Sequence, residues 1–180
     1  MVYILLGTGF EEIEALAPCD LMRRAGLEVA LVGLNGDIIS SSRGIGVVAD
    51  CGLQDIDLEK MEMIVLPGGL GGVQSILACE PALKLIRRAY DSGKYVAAIC
   101  AAPTILAKLG ITDHHDVTCY PGMERQMGNA HMISAGTVSS GRVLTGRAAG
   151  SSLDFGLMLI EALKGREAAD KVAAGVVYQR

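Results

Sequence analysis

Short apolar runs, "VYILL", "LEVALVGL", "MEMIVLPGG" and "YVAAI", do most to limit what this chain can fold into. Each is of strand length, is nearly devoid of a polar face, and passes into a turn. A strand that is apolar on both sides has to be covered on both sides, which is the condition of a parallel sheet between two helical layers. The stretches between and after them carry helical patterns. "GTGFEEIEALAPCDLMRRAG" reads as a turn and a helix stopped by Gly26, and "EPALKLIRRAYDSG" as a helix with Pro81 near its start and Gly93 past its end. "AAPTILAKLG", "SSLDFGLMLIEALKG" with a serine cap, and "REAADKVAAGVVY" complete the helices. After the second strand, "NGD" predicts a hairpin into "IIS", with "GVVAD" continuing the extended stretch, and "DVTCYP", "HMISAG" and "RVLTGR" read as strands and connections. No repeat, low-complexity tract or linker interrupts the pattern, so residues 1–180 read as one α/β domain, mostly parallel, with helices on both faces.

Composition narrows the function. With 51% hydrophobic and only 20% charged residues the chain can build a core, and a net charge of -4 gives no footprint for nucleic acid or an anionic membrane. The start "MVYILLG" is too short for a signal peptide or a membrane span and lacks a basic leader, so a cytoplasmic location is expected. The five cysteines, Cys19, Cys51, Cys79, Cys100 and Cys119, are spread out with no C-x-x-C, which argues against a disulfide framework or zinc ribbon. Of these, Cys19 is expected at the surface. "GTGFEE" invites a dinucleotide reading, but Glu12 stands where the third glycine belongs, and Glu11 and Glu12 would repel a pyrophosphate. "GGLGGVQS" lacks the Lys and Ser/Thr of a phosphate loop. No metal or organic cofactor is expected.

Two residues stand out. On the first helix, at about 100° per residue, Ala17, Pro18, Leu21, Met22 and Ala25 share one arc, and Glu14 projects into its middle. Glu12, Cys19, Asp20 and Arg23 fall on the side expected to face solvent. A carboxyl pushed among apolar groups holds its proton, although a buried Glu that merely caps an amide or meets an arginine would show the same pattern. The second is Cys100 in "YVAAICAAPT", where a buried strand turns into a helix. That setting is like a nucleophile elbow, with Ala98 and Ala102 at the close-approach positions, and a helix start favours thiolate. The plain alternative is a small apolar residue ending a strand. No histidine follows the cysteine, and no H-x-E pair lies downstream, which removes the usual bases of cysteine peptidases and amidotransferases. His114 and His115 in "TDHHD" read as a solvated turn, and His131 is assigned no role.

Together, "GFEEIEALAPCDLMRRAG", "VLPGG", "AAICAAP" and "LTGRAAGSSLDFGLMLIEAL" resemble the ThiJ/PfpI superfamily, DJ-one branch, over nearly the whole chain. The resemblance implies a flavodoxin-like three-layer α/β sandwich that pairs into homodimers. It implies that Cys100 is a reactive thiolate hydrogen-bonded by protonated Glu14, that the Gly69 and Ala101 amides form an oxyanion site, and that Arg43 and Arg24 hold anionic small molecules near the site and the dimer contact. Two sites depart from the family pattern, at three positions: Tyr120 replaces a histidine, leaving a hydrogen-bond donor but no base near neutral pH, and Ala148-Ala149 replaces Gly-Pro. The function this implies is a cofactor-independent glyoxalase or deglycase acting on methylglyoxal-type dicarbonyls or their early protein adducts. The alternative is a redox-sensing or chaperone-like stress protein whose Cys100 is oxidised to sulfinate.

Overall fold

A computed structural model describes residues 1–179. The chain runs β1 (Val2–Leu6), α1 (Glu12–Arg24), β2 (Val29–Gly33), β3 (Ile38–Ser40), β4 (Gly46–Val48), β5 (Cys51–Gly52), β6 (Met63–Leu66), α2 (Leu70–Leu77), α3 (Glu80–Asp91) and β7 (Tyr95–Ile99). It continues through α4 (Pro103–Lys108), β8 (Asp116–Val117), β9 (His131–Met132), β10 (Thr137–Ser140), β11 (Val143–Gly146), α5 (Ser152–Lys164) and α6 (Arg166–Gly175). Seven strands form one sheet in the order β10-β11-β7-β6-β1-β2-β5, parallel except for the antiparallel β10–β11 pair.

The two-sided apolar runs explain this arrangement. In β1, Val2, Ile4 and Leu6 point into one core with α1, α5 and α6, while Tyr3 and Leu5 point into the other with α2, α3 and α4. Met63 and Val65 against Ile64 and Leu66, and Ala97 and Ile99 against Val96 and Ala98, divide in the same way. Both layers of the expected sandwich are therefore present. Helix α1 ends as its glycine implied: Gly26 adopts a φ of 71°, its amide donates to Arg23 O, and that of Leu27 donates to Met22 O.

Three local expectations are corrected. The "NGD" turn does not pair β2 with β3; β2 lies between β1 and β5, and β3 pairs with β4 around the turn at Ser41–Ile45. Contacts distant in sequence decide this: Gly9 N donates to Ser40 O at 2.8 Å and Ser42 N to Phe10 O at 2.7 Å, which anchors the small hairpin over the end of β1. Cys19 and Glu12 are buried, because the covered face of α1 extends around to Ala15 and Cys19. On the Pro18–Leu21 face, Gly156 lets α5 pack closely on α1, since a Cβ there would lie 3.0 Å from Pro18 Cα and 2.9 Å from Leu21 Cδ1. Finally, Ser151 precedes α5 without making a side-chain cap.

Candidate active site

The carboxyl ends of parallel strands are where open α/β sheets expose backbone groups to a common crevice. Here the segments after β1, β6, β7 and β11 line one open cleft of about 1020 Å³, together with the β3–β4 turn and the stretch following β8. Cys100, Glu14, Gly69, Ala101, Arg43 and Tyr120 all line it.

Cys100 follows the last residue of β7 with a φ of 65°, a conformation that L side chains rarely adopt. Holding it there costs of order 1–3 kcal/mol, which the surroundings must over-determine. They do so from both sides: Cys100 N donates to Gly146 O at 2.9 Å and Tyr120 N donates to Cys100 O at 2.7 Å. Ala98 and Ala102 are fully buried, as a tight strand-to-helix turn requires.

Glu14 is 1% exposed. Its Oε2 accepts the Gly68 amide at 2.8 Å, while Oε1 is buried with no hydrogen-bond partner. Burial lifts the carboxyl from its usual range to about 7; interaction with the Cys100 thiol and the Gly68 amide opposes the rise, and the Glu11 carboxylate adds to it. Gly68 is the hinge of the arrangement: a Cβ there would lie 2.5 Å from Glu14 Oε2 and 2.7 Å from Cys100 Cβ. Gly68→Ala is therefore expected to lose ~2 kcal/mol or more of stability and to push the carboxyl and thiol apart. Thermal unfolding and Cys100 alkylation rates check both effects, and a variant as stable and as reactive as the native protein would refute the packing argument.

The expectation of an intrinsically acidic thiol needs correcting. Burial pushes Cys100 up to about 12, the charge of Glu14 and its side-chain interaction add to this, and the Ala101 and Gly69 amides pull the other way. The two Glu14 contributions exist because Glu14 is ionised. With the proton on Glu14 the repulsion vanishes and the carboxyl becomes a donor to sulfur. Between about pH 7 and about pH 12 the pair therefore holds one proton, and the charge released near neutral pH resides mainly on the carboxyl.

The Gly69 and Ala101 amides both approach the Cys100 sulfur. Gly69, with a φ of 83°, turns the chain into α2 under the β1 loop, where a Cβ would lie 2.5 Å from Gly9 O. Arg43 rides on the β3–β4 turn at the cleft wall, and Tyr120 is half exposed at its rim. Arg24 is not there, which corrects its placement at the site. It lies ten residues beyond Glu14 on α1, about 15 Å along the axis, where it pairs with Asp20 at 2.7 Å. Ser42 was not anticipated; its hydroxyl lies 2.9 Å from Glu11 Oε2 and 3.1 Å from Glu12 Oε2. Nor was Gly68, although the doubled glycine of "VLPGG" carried that signal. Among the described residues no group of His, Cys, Asp and Glu is arranged to hold a metal, and no helix is long and apolar enough to cross a membrane.

Known proteins share this architecture. The description of the DJ-1/PfpI family matches residues 1–162. The Danio rerio Parkinson disease protein 7 homolog is 37% identical over 182 residues, covering 98% of this chain and 96% of its own. A Caenorhabditis elegans protein named glutathione-independent glyoxalase DJR-1.2 is 31% identical over 159 residues, covering 87% and 84%. The crystal structure of Drosophila melanogaster DJ-1beta superposes with a TM-score of 0.95 at 35% identity, covering 99% of this chain and 98% of that one. By sequence and by fold, the chain belongs to the DJ-1/PfpI family.

Proposed function

We propose that the protein is a cofactor-independent glyoxalase acting on methylglyoxal-type dicarbonyls, or a deglycase acting on their early protein adducts. One observation carries this reading: a carboxyl with a pKa of about 7 sits against a cleft-lining thiol that two backbone amides also approach. A general base works best when its pKa lies near the working pH, and Glu14 meets that condition. As Cys100 Sγ attacks the aldehyde carbon, Glu14 takes the thiol proton, and the Gly69 and Ala101 amides stabilise the oxyanion. Glu14 returns the proton to that oxygen, giving a hemithioacetal. It then removes the C–H proton from the same carbon and delivers a proton to the neighbouring carbon through an enediol. The product is a lactoyl thioester on Cys100, and water releases lactate and regenerates the thiol. Arg43 and Tyr120 would orient the second carbonyl. The reading is supported by a relative named a glyoxalase. Incubation with methylglyoxal should yield lactate in proportion to turnover; no lactate from protein with a titratable Cys100 would defeat it.

A second reading rests on accessibility. Cys100 lines the cleft, whereas Cys19 and Cys119 are buried. One peroxide would take its thiol to sulfenic acid with loss of water, and a second to sulfinic acid. The sulfinate would be held by the same two amides and the Glu14 proton. Mass spectrometry after mild peroxide should place the added oxygens on Cys100; indifferent oxidation of all five cysteines would oppose a sensor role.

A homodimer fits the surface. Ile38 and Val48, paired across the β3–β4 hairpin, are 67% and 68% exposed, and Ile13 on α1 and Ile45 in the turn are half exposed. Such a patch calls for a partner, and a second copy would bury it beside the cleft. Sedimentation should give twice the 18.8 kDa chain mass, and Val48→Lys should return it to monomer. Five free thiols suit a reducing cytosol.

A further inference from the structure

The cleft has two unlike ends, and the sheet order says which is which. At the C-terminal edge the order runs β11, β7, β6, β1, with Cys100 leaving β7. On the β1 side stand Glu11, Ser42 and Arg43, joined by the Ser42–Glu11 hydrogen bond. On the other side, Tyr120, Pro121 and Met123 come from the segment that β8 sends across β11, where Thr118 N donates to Thr145 Oγ1 at 2.9 Å. Ala148 and Ala149, following β11, complete that end. Leu70 faces that end from across Cys100, on the β6 side next to the Gly69 amide, and is 68% exposed.

Size adds a second observation. About 1020 Å³ lies at the top of the range for sites that bury drug-sized ligands. Methylglyoxal, with three carbons and two oxygens, would leave most of it empty while its aldehyde met the sulfur. An exposed Leu70 and a half-exposed Tyr120 beside a reacting centre are surfaces that a substrate can cover.

We propose that the preferred substrates are 2-oxoaldehydes carrying an extended apolar substituent, seated between Leu70, Tyr120 and Met123 with the aldehyde at Cys100. This deepens the glyoxalase reading and rests on it only for turnover, not for binding. Each added methylene, about half buried against this open wall, lowers KM, so lengthening the chain by three methylenes should raise kcat/KM about tenfold. Leu70→Ser and Met123→Ser should each pull the long-to-short ratio below about threefold. The ratio is internal to each variant, so a general loss of folded protein cancels.

The test pairs that series with a second probe that requires no turnover: alkylation of Cys100 by N-methylmaleimide and by N-hexylmaleimide. A preference for the longer reagent that Leu70→Ser and Met123→Ser abolish supports the apolar subsite. If that preference is present but no dicarbonyl is consumed, the subsite stands and the glyoxalase reading falls. Equal rates with both maleimides, or a preference untouched by the two variants, overturn the subsite whether or not methylglyoxal is turned over.

Discussion

Replacing Cys100 by serine is expected to reduce dicarbonyl turnover by at least ~10³-fold while the protein stays folded. A hydroxyl is a far weaker acid than a thiol, so a carboxylate with a pKa of about 7 cannot hold a useful fraction of it as alkoxide. The structural consequences are small. Serine is slightly smaller, the side chain is only half buried, and the φ of 65° is imposed by the Gly146 and Tyr120 backbone bonds, which do not involve the sulfur. The thermal midpoint should therefore move by no more than a few degrees, corresponding to ~1 kcal/mol or less. Residual turnover within tenfold of native would show that the thiol is not the nucleophile, and the elbow would revert to a buried turn.

The second large effect separates stability from activity. Glu14→Gln should abolish base catalysis, lowering kcat by about 10²–10⁴-fold, and yet stabilise the protein at alkaline pH. The sign follows from proton counting. The Glu14 carboxyl moves from 4.5 in an unfolded chain to about 7 in the fold, so between those values the native state binds more protons. Stability then falls as pH rises through that window, by roughly 3 kcal/mol in total. The contribution is fully favourable below pH 4.5 and fully lost above pH 7. Glutamine cannot ionise, still accepts the Gly68 amide with its oxygen, and turns an NH₂ donor towards the thiol. Relative to native, Glu14→Gln should thus gain stability steadily from pH 5 to pH 8, read from denaturant midpoints. A difference that stays flat across that range would mean that the Glu14 carboxyl titrates normally.

Much of this was written locally. The period-2 division of β1, β6 and β7 between two cores is visible in runs such as "VYILL" and "YVAAI", and Gly26 marks the end of α1 where its backbone closes the helix. What was hidden depended on distant contacts. The "NGD" turn is a genuine hairpin signal, but the Gly9–Ser40 and Ser42–Phe10 bonds commit β3 to β4 instead. Cys19 is ambiguous by residue type, and only its place in the core beside Ala15 and Met22 shows that its side of α1 is covered. In the site, Glu14 was legible because a carboxylate in an apolar arc breaks the pattern of its own helix. The acidity of Cys100 was not, because it depends on burial and on where its neighbour keeps the shared proton. Arg24 illustrates the opposite limit: a matching motif put it near the site, while helical rise carries it to the far end of α1.

The sharing of one proton between sulfur and carboxyl is tested most directly by the pH dependence of Cys100 alkylation in native protein and in Glu14→Gln. In the native protein the rate should still be climbing beyond pH 9, because burial and the ionised Glu14 carboxylate push the thiol up to about 12. In Glu14→Gln the midpoint should move to lower pH, since the carboxylate's repulsion is gone and the amide NH₂ can donate to the sulfur. Identical profiles in the two proteins would contradict the account and leave Cys100 an ordinary sheltered thiol, indifferent to Glu14.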